Sequence, residues 1–293
     1  MVGRRLALRL AVAGAAAAGA VGAVAATPDA SQLALQPDDV PGAKVSGRAT
    51  KPGKGYVASY ARTFSLRKPY GASAIVFIES EVNLASTTAT ATKDFAGIRA
   101  YLRSAKGRED LAVAFVQGAG KSAKRKDLTL GKPRTPPIGD GAIELPATLK
   151  LKGGRIYAAF TFFRLERVVE TLITLGIRPV AQADVLKLGS LIVAHVGAQF
   201  VPSSAAPPAV TGTPQQGQSL SASPGTWDNG PTFGYQWQRC DAAGAACTDV
   251  AGATAQTYAV TTADVGATLR VNVTATNRFG TATAQSAQTA VVT

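Results

Sequence analysis

From Pro208 to the last residue, apolar side chains return at every second position in short runs, and turn residues break each run. Leu269, Val271, Val273 and Ala275 share one parity. Ser223-Pro224-Gly225, Asp228-Asn229-Gly230-Pro231 and Asn277-Arg278-Phe279-Gly280 supply the punctuation. A period of two excludes an amphipathic helix, and strands this short must bury their apolar faces against a second sheet. The spacing predicts a β-sandwich over residues 209–293.

The chain has 293 residues, enough for a second folded unit and processing segments. Arg4, Arg5 and Arg9 precede an Ala/Gly-rich apolar stretch that ends at Ala23-Val24-Ala25, a small-x-small cleavage pattern. Residues 1–25 read as a secretory signal peptide. An uncleaved anchor is the rival reading, and Arg4-Arg5 matches a twin-arginine export signal only loosely. No later segment is apolar enough to span a membrane. The Pro202–Pro208 stretch has no evident means of packing, so 201–208 is expected to be a linker, with an α+β domain over 26–200.

Within that domain Tyr56–Leu66 and Ala74–Leu84 alternate as strands. Ser86–Ser104 and Arg108–Val116 carry helical spacing, Ala142–Lys150, Gly153–Leu165 and Val168–Ile177 read as strands, and Asp184–Phe200 reads as a closing helix. Asp38-Asp39-Val40-Pro41-Gly42 marks a turn or short helix capping the domain. This order predicts an antiparallel sheet with helices on one face, followed by the all-β sandwich.

The formal net charge of +13 is unevenly placed. Residues 26–204 hold 25 Lys+Arg against 14 Asp+Glu, whereas residues 205–293 hold 3 against 4. Such a field favours an anionic cell-wall polymer, a lipid headgroup or an acidic protein. Its densest point is a run expected to be an irregular exposed loop, with Lys121, Lys124, Arg125, Lys126, Lys132 and Arg134 as candidate binding residues. The run lacks the interleaved aromatic residues that single-stranded nucleic acid requires. Gly118-Ala119-Gly120-Lys121-Ser122 has Phe115 where a phosphate loop needs glycine, so no nucleotide cofactor is expected.

Cys240 and Cys247, with six residues between them, lie within one module of an exported chain, a setting for a disulfide rather than a metal site. The single His195 completes no zinc ligand set. No catalytic residue is assigned. A helical histidine beside Leu191, Ile192 and Val196 is ordinarily a packed side chain, and no nucleophile-elbow pattern surrounds any serine. Glu79 with Glu81, and Glu166 with Glu170, are the carboxylate pairs that glycoside hydrolysis would use, but acids among so many lysines ordinarily form solvated ion pairs. Trp227 with Tyr235 and Trp237 offers a sugar-stacking platform, although Trp237 is expected in the core.

Residues Pro208–Thr293 resemble the bacterial immunoglobulin-like modules appended to exported proteins of high-GC Gram-positive bacteria. The matching residues are Gly225-Thr226-Trp227, Tyr235-Gln236-Trp237, Cys240, Cys247, Gly252-Ala253-Thr254, Tyr258, Asp264-Val265-Gly266 and Val273-Thr274-Ala275-Thr276-Asn277 ending at Gly280. The resemblance implies Trp237 at the core of a central strand. The cysteines are too close for an inter-sheet bridge and would staple a hairpin loop. The first domain resembles PknH-type extracellular sensor domains through Asp39-Val40-Pro41-Gly42, Ile138-Gly139-Asp140-Gly141-Ala142 and Phe163-Arg164-Leu165-Glu166-Arg167-Val168-Val169. That resemblance implies an envelope ligand-binding domain.

The expected function is a non-enzymatic exported envelope protein whose basic domain binds an anionic component or small ligand, with the sandwich as spacer. Two alternatives are an adhesion or carbohydrate-binding protein acting through the sandwich, and a secreted hydrolase built around His195.

Overall fold

The structure, a computed structural model, describes residues 27–121 and 123–293. The expected signal segment, residues 1–25, lies outside the described residues. The chain forms two compact units that divide between Gln199 and Phe200.

The first unit is mixed α+β. Its elements run α1 (Ala30–Leu33), β1 (Ala43–Ala49), β2 (Tyr56–Tyr70), β3 (Ile75–Ala85), α2 (Thr88–Arg103), α3 (Ala105–Ala119), β4 (Leu128–Leu130), β5 (Gly141–Leu151), β6 (Gly154–Leu165), β7 (Val168–Gly176) and α4 (Gln182–Gln199). The strands form one seven-stranded sheet in the order β1-β2-β3-β7-β6-β5-β4, antiparallel throughout.

Helices cover both faces of this sheet, not the single face expected. The reason is written in β6, where Ala158 to Phe163 are buried without a break. A strand with one solvated face alternates, whereas one buried on both faces does not. Ala158, Phe160 and Phe162 pack with Phe95 and Leu102 of α2 and Leu111 and Phe115 of α3. Phe115 meets Phe160 edge-on, with centroids 5.1 Å apart. Residues of the other parity, Ala159, Thr161 and Phe163, point to the face where α4 lies over β6 and β7. Ser80 marks that face: the register sets it level with Leu172 and Thr161, and its Oγ accepts the Leu35 N–H at 3.3 Å just beyond α1. α1 packs on α4 above it.

The sharp turn between α2 and α3 has a local cause. Ser104 ends α2 and caps α3, its Oγ accepting the Gly107 N–H at 3.0 Å. A Cβ at Gly107 would lie 2.0 Å from the Tyr101 carbonyl oxygen, so only glycine fits there.

The basic run is not wholly irregular. Residues 125–127 form a 3-10 turn, and β4 then pairs with β5 as Leu128↔Leu149, Thr129↔Thr148 and Leu130↔Ala147. Pro146 limits β4 to three residues. Its carbonyl accepts the Gly131 N–H at 2.8 Å, its missing N–H interrupts the ladder there, and pairing resumes where Arg134 and Glu144 exchange backbone hydrogen bonds at 2.8 and 2.9 Å.

The second unit is all strand apart from a 3-10 turn at Thr262–Asp264. It contains β8 (Ser204–Ala206), β9 (Ala209–Thr211), β10 (Ser219–Ser223), β11 (Thr226–Trp227), β12 (Thr232–Cys240), β13 (Thr248–Asp249), β14 (Thr257–Ala259), β15 (Thr268–Asn277) and β16 (Gly280–Gln285). The stretch 201–208, expected to be an unpacked linker, carries β8, which pairs with β11. The sheets are β13-β12-β15-β16, β14-β10-β9 and β11-β8.

Leu220 and Ala222 of β10 share one core with Trp237 of β12, Tyr258 of β14 and Leu269, Val271 and Val273 of β15. Trp237 is fully buried, stacks on Tyr258 at 5.4 Å and donates Nε1–H to the Ala255 carbonyl at 3.0 Å. Asp264, also fully buried, accepts from the Tyr258 hydroxyl at 2.8 Å, the Thr261 N–H at 2.7 Å and Arg239 at 2.6 Å. Burial opposes its charge, yet the hydrogen bonds from Thr261, Arg239 and Tyr258 outweigh burial and hold its pKa below the ordinary carboxylate range.

Cys240 and Cys247 are joined, closing the loop between β12 and β13. Reducing this bond, or replacing both cysteines with alanine, is expected to lower the stability of the second unit by about 2–3 kcal/mol, the chain-entropy value for so small a ring. Both tryptophans, Trp227 and Trp237, lie in this unit, so denaturation followed by tryptophan fluorescence measures the loss.

Candidate functional site

The six basic residues picked from the 121–134 run do not act as one group. Arg125 donates Nε–H and Nη2–H to Glu109 of α3 at 2.9 and 2.7 Å, and that hydrogen bonding holds the Glu109 carboxyl below its usual range. Arg134 sits 3.4 Å from Glu144, whose side chain is buried. Lys132 lies beyond β4, several residues along the sheet edge. Lys121, Lys124 and Lys126 remain together, exposed, at the other end of β4.

The β4–β5 pairing enlarges that remainder. The 3-10 turn that leads into the Leu128↔Leu149 pairing lies against β5. The β5–β6 hairpin turns at residues 152–153 and carries Arg155 on its return strand, opposite Lys150. Lys150, Lys152 and Arg155 are all exposed. Six cations, Lys121, Lys124, Lys126, Lys150, Lys152 and Arg155, therefore gather at one end of the sheet, and none takes part in the ion pairs formed among the described residues. Three of the six are invisible to a search for charge runs because they arrive from ~25 residues away by strand pairing. Exposed cations without carboxylate partners create a positive field that salt screens.

The other side chains singled out from the sequence have defined places. His195 on α4 pairs through Nε2 with Asp39 Oδ2 at 2.8 Å, and Asp39 also accepts the Gln36 N–H at 2.6 Å. The pair latches α4 to the turn after α1. No hydroxyl among the described residues hydrogen-bonds the other ring nitrogen, so a nucleophile–base arrangement is not assembled there. Asp184 is occupied by Ser73, accepting its N–H at 2.8 Å and its Oγ–H at 2.5 Å.

Glu166 and Glu170, close in sequence, are separated in space. Glu166 sits in the β6–β7 turn, with its N–H bonded to Asp140, whereas Glu170 is fully buried in the sheet. Glu79 and Glu81 do share a face, level with Thr63 and Ala61 of β2 and with Ser46 and Arg48 of β1. α2 reaches this part of the sheet only near Ala85, so the two carboxyls stay half-buried. Burial and the neighbouring Glu81 raise the Glu79 pKa to about 7, opposed by Arg48. Two acids side by side on one strand do not flank a scissile bond from opposite sides, as glycoside hydrolysis requires.

In the second unit Trp227 is half-buried, donates Nε1–H to the Pro224 carbonyl at 2.7 Å and lies 6.2 Å from Phe233, which is 38% exposed. A flat platform of Trp227, Tyr235 and Trp237 is not formed, because Trp237 belongs to the core. Among the described residues no group of three or more His, Cys, Asp or Glu is placed to hold a metal ion, and no helix is long and apolar enough to cross a membrane.

A carboxyl with a raised folded pKa costs stability as pH climbs, because the unfolded chain ionises it first. Glu79→Gln is therefore expected to stabilise the first unit at about pH 8 relative to its effect at about pH 4, with most of the change below about pH 7. Thermal unfolding by helical ellipticity measures it, since all four α-helices among the described residues lie in that unit. An equal effect at both pH values would contradict the environment described for Glu79.

No protein-family model matches the sequence, and no curated protein matches it. Among solved structures, the crystal structure of the extracellular domain of PknH from Mycobacterium tuberculosis is weakly similar, with a TM-score of 0.38 and 15% identity over 57% of this chain and 94% of that one.

Proposed function

We propose that this is an exported, non-enzymatic cell-envelope protein whose first unit binds an anionic wall polymer through the cluster at the β4–β5 end of its sheet, while the second unit, an immunoglobulin-like sandwich, serves as a spacer. The observation that carries the reading is the convergence of Lys121, Lys124 and Lys126 with Lys150, Lys152 and Arg155, all exposed and outside the ion pairs of the unit. None of the exposed large apolar residues, Val57, Val113, Ile177, Phe233, Val265 and Val291, belongs to this cluster. A surface that inserts into a bilayer mixes such residues with its cations, so a hydrated polymer suits it better than a membrane. The disulfide fits an oxidising compartment, as does the signal read at residues 1–25. The shared core of both sheets around Trp237 supports the sandwich assignment for the second unit.

The test is retention of the full chain on purified anionic wall polymer and, separately, on anionic vesicles, at low and high salt. Two triple variants accompany it, Lys121→Ala/Lys124→Ala/Lys126→Ala and Lys150→Ala/Lys152→Ala/Arg155→Ala, with Lys132→Ala as control. Each triple variant is expected to weaken polymer binding at low salt by roughly tenfold or more, about 1.4 kcal/mol, and the control to leave it unchanged. Loss with the 121–126 variant alone would show that the hairpin cations do not contribute. Binding that ignores salt would remove the electrostatic reading altogether.

A further inference from the structure

Beneath α4, the sheet of the first unit presents hydrogen-bonding groups that find no partner among the described residues. Thr161 is central. The register places it opposite Glu144 on β5 and Leu172 on β7, with Glu170 and Thr174 two residues either side of Leu172 on the same face. Cross-strand neighbours stand about 5 Å apart and diagonal ones about 7–8 Å, so Thr161 adjoins Glu144 directly and faces Glu170 and Thr174 diagonally.

All four side chains are at most 1% exposed. Thr161 Oγ1, Thr174 Oγ1, Glu144 Oε2 and Glu170 Oε2 find no hydrogen-bond partner among the described residues. The remaining carboxyl oxygens are accounted for: Ser80 donates to Glu170 Oε1 at 2.6 Å, and Arg134 stands 3.4 Å from Glu144 Oε1.

The roof offers nothing in return. α4 turns Val185, Leu188, Ile192 and Val196 inward, and Ile138 presses against Gly189. Helical and ladder hydrogen bonds already use the peptide groups of α4 and the strands. Folded proteins rarely bury several such groups in one place without a partner, and a polar patch facing an apolar helix is where internal guests reside.

We propose that the layer between β5–β6–β7 and α4 is an internal binding site, centred on Thr161, for a neutral hydroxyl-bearing guest, either ordered water or a small polyol. The chemistry of the lining selects neutrality. Burial raises both carboxyls, Glu170 well above its ordinary range, and each threonine hydroxyl can donate and accept. An anion would lack a cation there: Arg134 is engaged with Glu144, and Arg62 donates to the Leu35 carbonyl.

Isosteric substitution in the full chain gives the decisive sign. In a dry layer, Thr161→Val and Thr174→Val remove an unanswered hydroxyl and leave Tm unchanged or raised. With a guest present each lowers Tm, by roughly 3 °C in a unit of this size, and the double variant loses less than the sum because one guest serves both hydroxyls. Thr161→Ser, which keeps the hydroxyl, separates this from a loss of shape.

Titration of the wild type with erythritol and with inositol distinguishes the sources. A saturable rise in Tm that disappears in Thr161→Val identifies a polyol. A flat titration, with slowly exchanging water contacting the Thr161 and Thr174 amides by NMR, identifies water. Valine variants at or above the wild-type Tm, or neither water nor polyol contacts at those amides, would overturn the proposal.

Discussion

The first unit depends on one constraint: β6 is covered on both faces. Six consecutive buried residues, Ala158 to Phe163, cannot be satisfied by a single helical layer, so α2 and α3 must close one side and α4 with α1 the other. The segment joining β7 to α4 is then confined to a short path, held where Ser73 meets Asp184. The packing of Phe115 on Phe160 ties the helical hairpin to the strand that needs it.

Charge is arranged around this core by depth. The lysines that give the chain its basic character stand on the rim and at the hairpin end. The acids divide between surface partners, such as Glu109, and interior positions, such as Glu144 and Glu170. Burying acids while exposing bases leaves the outward surface more positive than the composition alone implies, because burial raises the pKa of an interior carboxyl such as Glu170 well above its ordinary range. The second unit, nearly neutral, spends its buried charge on one pair, Arg239 with Asp264, which fixes the turn before β15.

Strands with strong alternation were legible in the sequence: β2, β3, β5 and β7 were anticipated within a few residues, as were the three longer helices. β1 was missed because Ala43-Lys44-Val45-Ser46-Gly47-Arg48-Ala49 lies at an edge and has little apolar surface to repeat. β4 hid inside a basic run, where Leu128 and Leu130 were the available clue. β8 hid in a stretch of alanine, serine and proline whose pairing with β11 depends on contacts ~20 residues away. The second helical layer was foreshadowed by Ala159 and Phe163, apolar at the positions that a one-sided strand would leave polar. Half of the basic cluster and the whole layer around Thr161 depend on register, which single-sequence periodicity does not supply.

The brevity of β4 shapes how this sheet meets other chains. An open sheet edge invites another strand to add to it, and natural proteins blunt such edges with proline, lysine and brevity. Two of these coincide at β4: it has three residues, and lysines flank it at 126 and 132. The basic end of the unit can therefore approach a long polyanion through its side chains alone, without offering a template for the backbone of another protein. A surface of this kind can crowd along an extended polymer at high local density without fusing into continuous sheets.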